Sequence, residues 1–257
     1  MKRGRSRGRS DNRASDRSDN HPGGRSASDF TPDDLPARPG PTPRGYADPT
    51  VGEVRIIGGS LRGRVLPFLG GDHLRPMKDR VREAVFNLLA DDVKEKQVID
   101  LFAGTGVLAF EALSRGAVAA LLLERHFPTA RQMQRRAAEM ELGDRVEVLS
   151  SDTFVWAKRF QAGTLANPDG SRRDLAAEWG SRPWLIFCCP PYSLFVTRPD
   201  DVIDLIRQLR DRAPAGSVLV VESDERFDPG LLPDADSWVV RVYPPAVIAI
   251  WRCRNDS

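Results

Sequence analysis

The sequence has few cysteines and no long apolar run, and each shortage excludes a class of protein. Its cysteines are Cys188, Cys189 and Cys253, an odd number without CxxC spacing, so neither a metal site nor a disulfide framework is expected. No apolar stretch approaches the roughly 18 residues that cross a membrane, and the N-terminus lacks the pattern of a secretory signal. We therefore predict a soluble cytoplasmic protein with no membrane partner.

Large apolar residues are scarce in the first fifty residues, which are rich in Pro, Gly, Ser and Arg. A segment of this composition cannot bury enough surface to offset its chain entropy, so we predict a disordered basic and polar tail over 1–50. This tail holds ten Lys/Arg and seven Asp, and the rest of the chain is nearly neutral. Its RGRSRGR start would attract RNA phosphates, although a simple solvated tail is the alternative.

Residues 51–257 have the texture of one folded domain. VRIIGGSLRGRVLPF predicts a β-hairpin, and a helix capped by Asp79 follows, so that 54–90 form an N-terminal extension. Over 97–253 strands and helices alternate, which predicts a Rossmann-like core with a mostly parallel sheet. The last two strands are joined only by a Pro-Pro turn and are predicted to form an antiparallel pair at the edge. Residues 163–183 interrupt the pattern as a surface insertion.

The first core strand runs into the glycine-rich loop DLFAGTGVLA. Gly104, Gly106 and Ala109 form a G-x-G-x-x-A turn before a helix, and Glu124 ends the next strand about twenty residues later. The glycines allow a ligand close to the backbone, and the carboxylate suits two ribose hydroxyls. The pattern predicts a nucleotide-like cofactor. NAD fits it too, and a tight turn without a ligand is a further alternative.

Two further features favour S-adenosylmethionine. Asp100 stands four residues before Gly104, where a carboxylate can meet an amino acid's ammonium group. Asp152, Thr153 and Phe154 follow the third core strand and offer an acceptor and an apolar surface to adenine, although Asp152 suits a helix cap equally well. The predicted cofactor-binding residues are Asp100, Phe102, Gly104, Gly106, Glu124, Asp152 and Thr153.

The segment FCCPPY ends an apolar strand with two prolines and an aromatic residue. The end of such a strand is a typical position for an active site in an α/β sheet. The Pro190 carbonyl is one candidate acceptor. Tyr192 is predicted to stack on an extruded base, with packing under the following helix as the alternative. The predicted catalytic residues are Cys189, Pro190, Pro191 and Tyr192.

A basic block lies between residues 54 and 82. Its seven basic residues exceed the acidic ones by five charges, which predicts a contact with RNA phosphates. Scattered solvated arginines are the alternative, and Arg82 in particular is positioned to pair with Asp79 or Glu83. The predicted RNA-binding residues are Arg55, Arg62, Arg64, Arg75 and Arg80.

Four blocks together resemble the RsmD-type methyltransferases, which modify a guanine N2 in small-subunit ribosomal RNA: RIIGGSLRGRVL, LRPMKDRVREAVFNLL, DLFAGTGVLAFEALSRGA and the PPY segment. The resemblance extends over most of 54–252. It implies a class I S-adenosylmethionine-dependent methyltransferase with a seven-stranded sheet and a reversed edge strand. It also implies cofactor contacts in the glycine-loop region, a target-base site at 189–192, and ribosomal RNA or the small subunit as the partner of a monomer.

The departure from the family pattern is Cys189, because such enzymes usually have Asp or Asn before the two prolines. Methyl transfer to an exocyclic amine requires acceptors that hold its N–H groups and stabilise the developing positive charge, and a thiol is a weak hydrogen-bond acceptor. Either the thiol is tolerated, or a nearby group such as Asp200 or Asp201 replaces the acceptor, or catalysis is lost. The alternatives in function are methylation of another exocyclic amine, such as adenine N6, and a catalytically impaired RNA-binding or ribosome-assembly protein. An NAD-dependent oxidoreductase would leave the PPY segment unexplained.

Overall fold

The computed structural model describes residues 51–69, 76–165, 178 and 182–253. All of them lie in one compact unit, Ala47–Ser257. The predicted tail, Arg75 and most of the predicted insertion fall outside the described residues. Within the ranges described, every helix is too short or too polar to cross a membrane.

The N-terminal extension consists of the predicted hairpin and helix. Strands β1 (Val51–Arg55) and β2 (Val65–Leu69) pair antiparallel, and α1 (Asp79–Leu89) buries its apolar face. The predicted cap is wrong: Lys78 occupies the N-cap position and makes no side-chain cap. Asp79 lies in the first turn, where its Oδ1 accepts a hydrogen bond from Arg82 at 3.0 Å, so the predicted pairing within the helix is confirmed.

The core alternates strands with helices as predicted. In chain order its elements are β3 (Gln97–Asp100), α2 (Val107–Ser114), β4 (Ala119–Leu123), α3 (Phe127–Glu139), β5 (Val146–Leu149), α4 (Thr153–Gln161), β6 (Trp184–Cys188), α5 (Leu194–Thr197), α6 (Pro199–Arg212), β7 (Val218–Asp224), β8 (Trp238–Tyr243) and β9 (Ala246–Arg252). Helix α5 is a single turn that the sequence pattern did not predict.

These seven strands form one sheet in the order β5-β4-β3-β6-β7-β9-β8. The strands from β5 to β7 pair in parallel, and β9 pairs antiparallel with both β7 and β8. The antiparallel pair at the edge is confirmed, but the reversed strand β9 lies one place inside it. The reason is burial: β9 is apolar on both faces, whereas β8 leaves half of its residues exposed.

Alternation along the strands divides the core into two layers. One face of the sheet packs against α1, α2 and α3, and we call it the extension face. The other packs against α4 and α6. On β6, Leu185 and Phe187 point to the extension face, and on β7 Val218 and Val220 do the same. Residues two positions further along these strands continue on that face.

Candidate active site

Three polar residues meet at the carboxyl ends of the central strands. Asp100 ends β3, Cys189 directly follows β6, and Glu222 lies near the end of β7. These strands are neighbours in the sheet, and alternation places all three residues on the extension face. The carboxyl ends of parallel strands, at the point where strand order reverses, are where open α/β sheets bind ligands.

The glycine loop crosses this end of the sheet in a conformation that requires glycine. Gly104 and Gly106 have φ values of 54° and 76°, in the left-handed region that side chains disfavour. A Cβ on Gly106 would lie 2.8 Å from the Phe110 ring and 2.9 Å from the Met133 sulfur. The loop therefore lies tightly against α2 and α3.

Glu124 fastens this loop to the end of β4. Its Oε2 accepts the Gly104 backbone N–H at 3.0 Å, and its Oε1 accepts the His126 backbone N–H at 2.7 Å. Each carboxylate oxygen has a further lone pair, so both can still accept a ribose hydroxyl. The residue predicted for the ribose is thus oriented before any ligand arrives.

Asp100 is the least satisfied polar group of the site. Its side chain is 1% exposed, and neither carboxylate oxygen has a hydrogen-bond partner among the described residues. Burial, reinforced by the nearby Glu124 carboxylate, raises the pKa of Asp100 to about 7. The backbone N–H groups of Phe102 and Ala109 oppose this rise, although neither meets the geometry of a hydrogen bond to the carboxylate. A buried carboxylate without a partner is costly, and a cationic ligand group would relieve that cost.

The residues after β5 have more structural roles than the sequence pattern showed. Asp152 caps α4, because its Oδ1 accepts the Phe154 and Val155 backbone N–H groups at 2.9 and 3.1 Å. The Thr153 hydroxyl is buried and donates to the Leu101 carbonyl. The cap thus agrees with the alternative noted for Asp152, and it uses only one of the two carboxylate oxygens.

Two rings and a cation form a wall beside these residues. The Phe102 and Phe154 rings meet edge to face, with centroids 6.1 Å apart. The Arg198 guanidinium lies 4.1 Å from the centroid of Phe154, which is a cation–π contact. Phe102 and Phe154 therefore form an apolar wall beside Asp152, and Arg198 joins that wall to the segment that follows PPY.

In the FCCPPY segment the two cysteines face opposite sides of the sheet. Cys188 is fully buried in the layer of α4 and α6, and Cys189 packs partly buried on the extension face. Burial raises the pKa of both thiols, and the Glu222 and Asp100 carboxylates raise that of Cys189 further. Cys189 is therefore a neutral thiol at physiological pH, which disfavours a thiolate nucleophile.

Tyr192 reaches from this segment to β7. Its phenolic O–H donates to Glu222 Oε1 at 2.8 Å, and Tyr192 is only partly buried. Helix α5 begins directly afterwards, because the Pro191 carbonyl accepts the Leu194 backbone N–H at 2.8 Å. In the described part of the chain no hydrogen bond reaches the Pro190 carbonyl, so this oxygen keeps the acceptor capacity predicted for it.

Sequence reasoning missed Glu222. Asp201, one of the two acids suggested as a substitute acceptor, pairs with Arg198 at 2.7 Å and is exposed, and Asp200 is exposed as well. Glu222 is 8% exposed and contacts Tyr192 directly. Burial raises the pKa of Glu222, and the Tyr192 hydrogen bond opposes that rise. The available signal was an acid ending the apolar run VLVVES, which is the same pattern that identified Asp100.

The basic block divides between surface and interior. Arg55, Arg62, Arg64 and Arg80 are exposed, as an RNA contact requires, and Arg75 lies outside the described residues. Arg82 is fully buried and donates to the Arg55 carbonyl at 2.6 Å and to the Met77 carbonyl at 3.2 Å. Arg82 therefore ties the hairpin to α1 and adds nothing to the basic surface.

Glu111 and Ser114 of α2 hold the extension on the core. Glu111 is fully buried, and its Oε2 accepts the Ile57 backbone N–H at 2.7 Å. The Ser114 hydroxyl donates to the Gly58 carbonyl at 2.5 Å and accepts the Leu61 backbone N–H at 2.8 Å. The loop of the hairpin is thereby fixed to the helix that begins at the glycine loop.

Comparisons with known proteins agree with this architecture. Residues 54–167 match a family model described as Conserved hypothetical protein 95. The chain is 45% identical over 116 residues to Ribosomal RNA small subunit methyltransferase D of Escherichia coli, which is 45% of this chain and 57% of that protein. The Haemophilus influenzae protein of the same name is 40% identical over 111 residues, or 43% and 58% of the two chains. The match thus spans just over half the length of these curated relatives.

Solved structures extend the likeness to the whole sheet. An Escherichia coli structure described as "Putative methyltransferase yhhF" has a TM-score of 0.59 and 28% identity, and the match covers 80% of this chain and 100% of that one. A T. thermophilus 16S rRNA N2 G1207 methyltransferase (RsmC), in complex with AdoMet and guanosine, shares the fold with a TM-score of 0.55, 19% identity and coverage of 79% and 50%. The predicted Rossmann-like fold is confirmed, and so is the resemblance of this chain to the RsmD-type methyltransferases.

Proposed function

We propose that the protein transfers a methyl group from S-adenosylmethionine to the exocyclic N2 of a guanine in small-subunit ribosomal RNA. The observation that carries the proposal is the buried Asp100 carboxylate without a partner, placed beside a glycine loop and a PPY segment. The names of the similar curated proteins agree with an RNA substrate. The T. thermophilus neighbour, a 16S rRNA N2 G1207 methyltransferase, is an example of N2 chemistry in this fold.

The residues of the site fit the cofactor. Asp100 would accept hydrogen bonds from the ammonium group of S-adenosylmethionine, and Glu124 would accept them from the ribose hydroxyls. The Phe102 and Phe154 rings would lie against the adenine. When bound, S-adenosylmethionine supplies a sulfonium methyl group. An ammonium group is the better explanation for Asp100 than any group of NAD, because a dinucleotide carries no cationic amine to pair with a buried carboxylate.

The chain's own residues hold and orient the target base. The amino group of guanine is a poor nucleophile, since its lone pair is delocalised into the ring. Acceptors that bind its N–H groups stabilise the positive charge that develops on nitrogen. The Pro190 carbonyl would supply one acceptor, and the half-exposed Tyr192 ring would stack on the base and fix its angle of approach.

Radiolabelled methyl transfer tests the proposal. The substrate is ribosomal RNA, free and in small subunits, from a strain that lacks this protein, and RNA from the parent strain is the matched control because its site is already modified. Nuclease digestion and mass spectrometry should identify N2-methylguanosine. A label found on adenine N6 would favour the alternative amine, and no transfer to either substrate would favour a non-catalytic RNA-binding protein.

A further inference from the structure

The contact between Tyr192 and Glu222 leaves one carboxylate oxygen unused. The Tyr192 hydroxyl donates a hydrogen bond to Oε1 of Glu222, with the two oxygens 2.8 Å apart. Within the described residues Oε2 has no hydrogen-bond partner. It is not one of the fully buried polar atoms that lack a partner, so this oxygen is at least partly exposed. Tyr192 thus holds one oxygen of the Glu222 carboxylate, and the other oxygen is available to accept a hydrogen bond.

This oxygen lies beside the position where the family pattern has Asp or Asn. The strand register pairs Cys188 with Val221, so Cys189 stands next to Glu222 on the neighbouring strand, and alternation turns both to the extension face. Besides burial, the Glu222 carboxylate raises the pKa of the Cys189 thiol, and the Glu222 backbone N–H opposes that rise. Cys189, which lacks the acceptor oxygen of the family pattern, and Glu222, which has one available, are therefore neighbours.

We propose that Glu222 supplies the acceptor that Cys189 cannot, with Oε2 binding an N–H of the target amine while Tyr192 holds Oε1. The inference rests on the proposed function. In the transfer, the amine lone pair forms the new N–C bond and the electrons of the broken C–S bond remain on sulfur. The proton that the nitrogen then loses passes to Glu222 and from there to water.

The chemistry of a carboxylate also favours guanine over adenine. An ionised carboxylate only accepts hydrogen bonds. Guanine presents two adjacent donors on one edge, N1–H and the N2 amino group, whereas adenine presents an amino donor next to the N1 acceptor. Opposing the adenine N1 lone pair to a carboxylate is unfavourable, so Glu222 would select the base as well as assist the transfer.

Methyl transfer to ribosomal RNA provides the first test. We expect Glu222→Gln to lower the transfer rate about ten- to a hundred-fold, as the loss of a charge-assisted hydrogen bond would. Asp204→Asn is the matched control, since it removes an exposed carboxylate that pairs with Arg207 on α6, and it should leave the rate unchanged. Introducing Cys189→Asp into the Glu222→Gln protein should recover at least about tenfold.

Tyr192→Phe distinguishes a direct role from a positioning role. The substitution keeps the ring and removes the hydrogen bond to Glu222, so we expect it to cost less than Glu222→Gln. If Glu222 served only to orient Tyr192, the two variants would lose the same rate and the double variant would lose no more. That outcome, or an unchanged rate in Glu222→Gln, would overturn the inference.

Equilibrium binding gives a readout that does not depend on methyl transfer. Calorimetry should show that the wild-type protein binds guanosine monophosphate more tightly than inosine monophosphate, which lacks the 2-amino group. The Glu222→Gln protein should lose this preference while its cofactor affinity stays the same and its melting temperature does not fall. If the wild-type protein transfers no methyl group, the proposed function fails alone, and the nucleotide preference still decides whether Glu222 reads the amine. Equal preference in both proteins would refute its role.

Discussion

Replacing Asp100 with Asn should stabilise the ligand-free protein at neutral and alkaline pH. Asp100 is fully buried without a hydrogen-bond partner among the described residues, and its pKa is raised from 3.8 to about 7. Between these values the folded protein retains a proton that the unfolded chain releases. The free energy of unfolding therefore falls as pH rises from about 4 to 7, and it is level above that.

The magnitude follows from the shift. A difference of about three pKa units corresponds to about 4 kcal/mol between pH 4 and pH 8. At pH 4 both Asp100 and its Asn replacement are neutral, so the two proteins should have similar stability. The difference in unfolding free energy between the variant and the wild type should then grow with pH. Any effect of how the Asn amide packs is the same at each pH, so it cancels when this difference is compared between two pH values.

Urea unfolding followed by circular dichroism at pH values from 4 to 8 measures this difference. Glu111→Gln provides the contrast, because Glu111 is equally buried but accepts hydrogen bonds from the Ile57 N–H and from Arg115. Glu111→Gln weakens these hydrogen bonds, so it should destabilise the protein at neutral pH by about 1–3 kcal/mol. Calorimetry should show that Asp100→Asn weakens S-adenosylmethionine binding about ten- to a hundred-fold. A stability difference independent of pH, or unchanged cofactor affinity, would refute the reasoning about Asp100.

Three further predictions concern the target-base site and the extension. Cys189→Asn should change the methyl-transfer rate by less than about twofold and leave cofactor affinity unchanged, because the Pro190 carbonyl and Glu222 already accept both N–H groups of the amine. A large loss of rate would show that the thiol has a direct role. Gly59→Ala should lower the melting temperature more than Gly63→Ala. Both glycines have positive φ, but only at Gly59 would a Cβ lie 1.9 Å from a backbone oxygen. Equal losses would mean that φ alone determines the effect. Replacing Arg62 and Arg64 together should weaken RNA binding and flatten its salt dependence in filter-binding titrations, and an unchanged salt slope would place the RNA contact elsewhere.

The architecture could be predicted because it depends on local periodicity. Each apolar strand followed by an amphipathic helix limits the chain to a parallel sheet with two helical layers. The position of β9 inside β8 was harder to predict, since both strands are apolar and only their relative burial decides which one lies inside. The interior position of Arg82 was not predictable either, because it depends on carbonyl groups brought together by the hairpin and the loop before α1.

The site was predictable where a single segment forms it. Asp100 and the glycine loop are contiguous in sequence, and Glu124 follows at a fixed spacing. Glu222 lies thirty residues beyond Tyr192, with helices α5 and α6 between them. Its role requires β6 and β7 to be neighbours and their alternation to coincide, and neither fact is visible in the local sequence. The local sequence therefore suggests Asp200 or Asp201, in the segment that follows Cys189, rather than an acid on the neighbouring strand.

The carboxylates at this end of the sheet differ in whether the protein itself satisfies them, and that difference separates structural from ligand-directed groups. Glu124 accepts two backbone N–H groups and Asp152 caps a helix, so each already stabilises the fold. Asp100 has no partner among the described residues, and Glu222 has one oxygen in use. Folding offers little compensation for burying these two. They lie on one face of the sheet, on the two strands that flank β6, and Cys189 follows β6 between them. The arrangement therefore suits one cationic group at Asp100 and one N–H donor at Glu222, two strands apart.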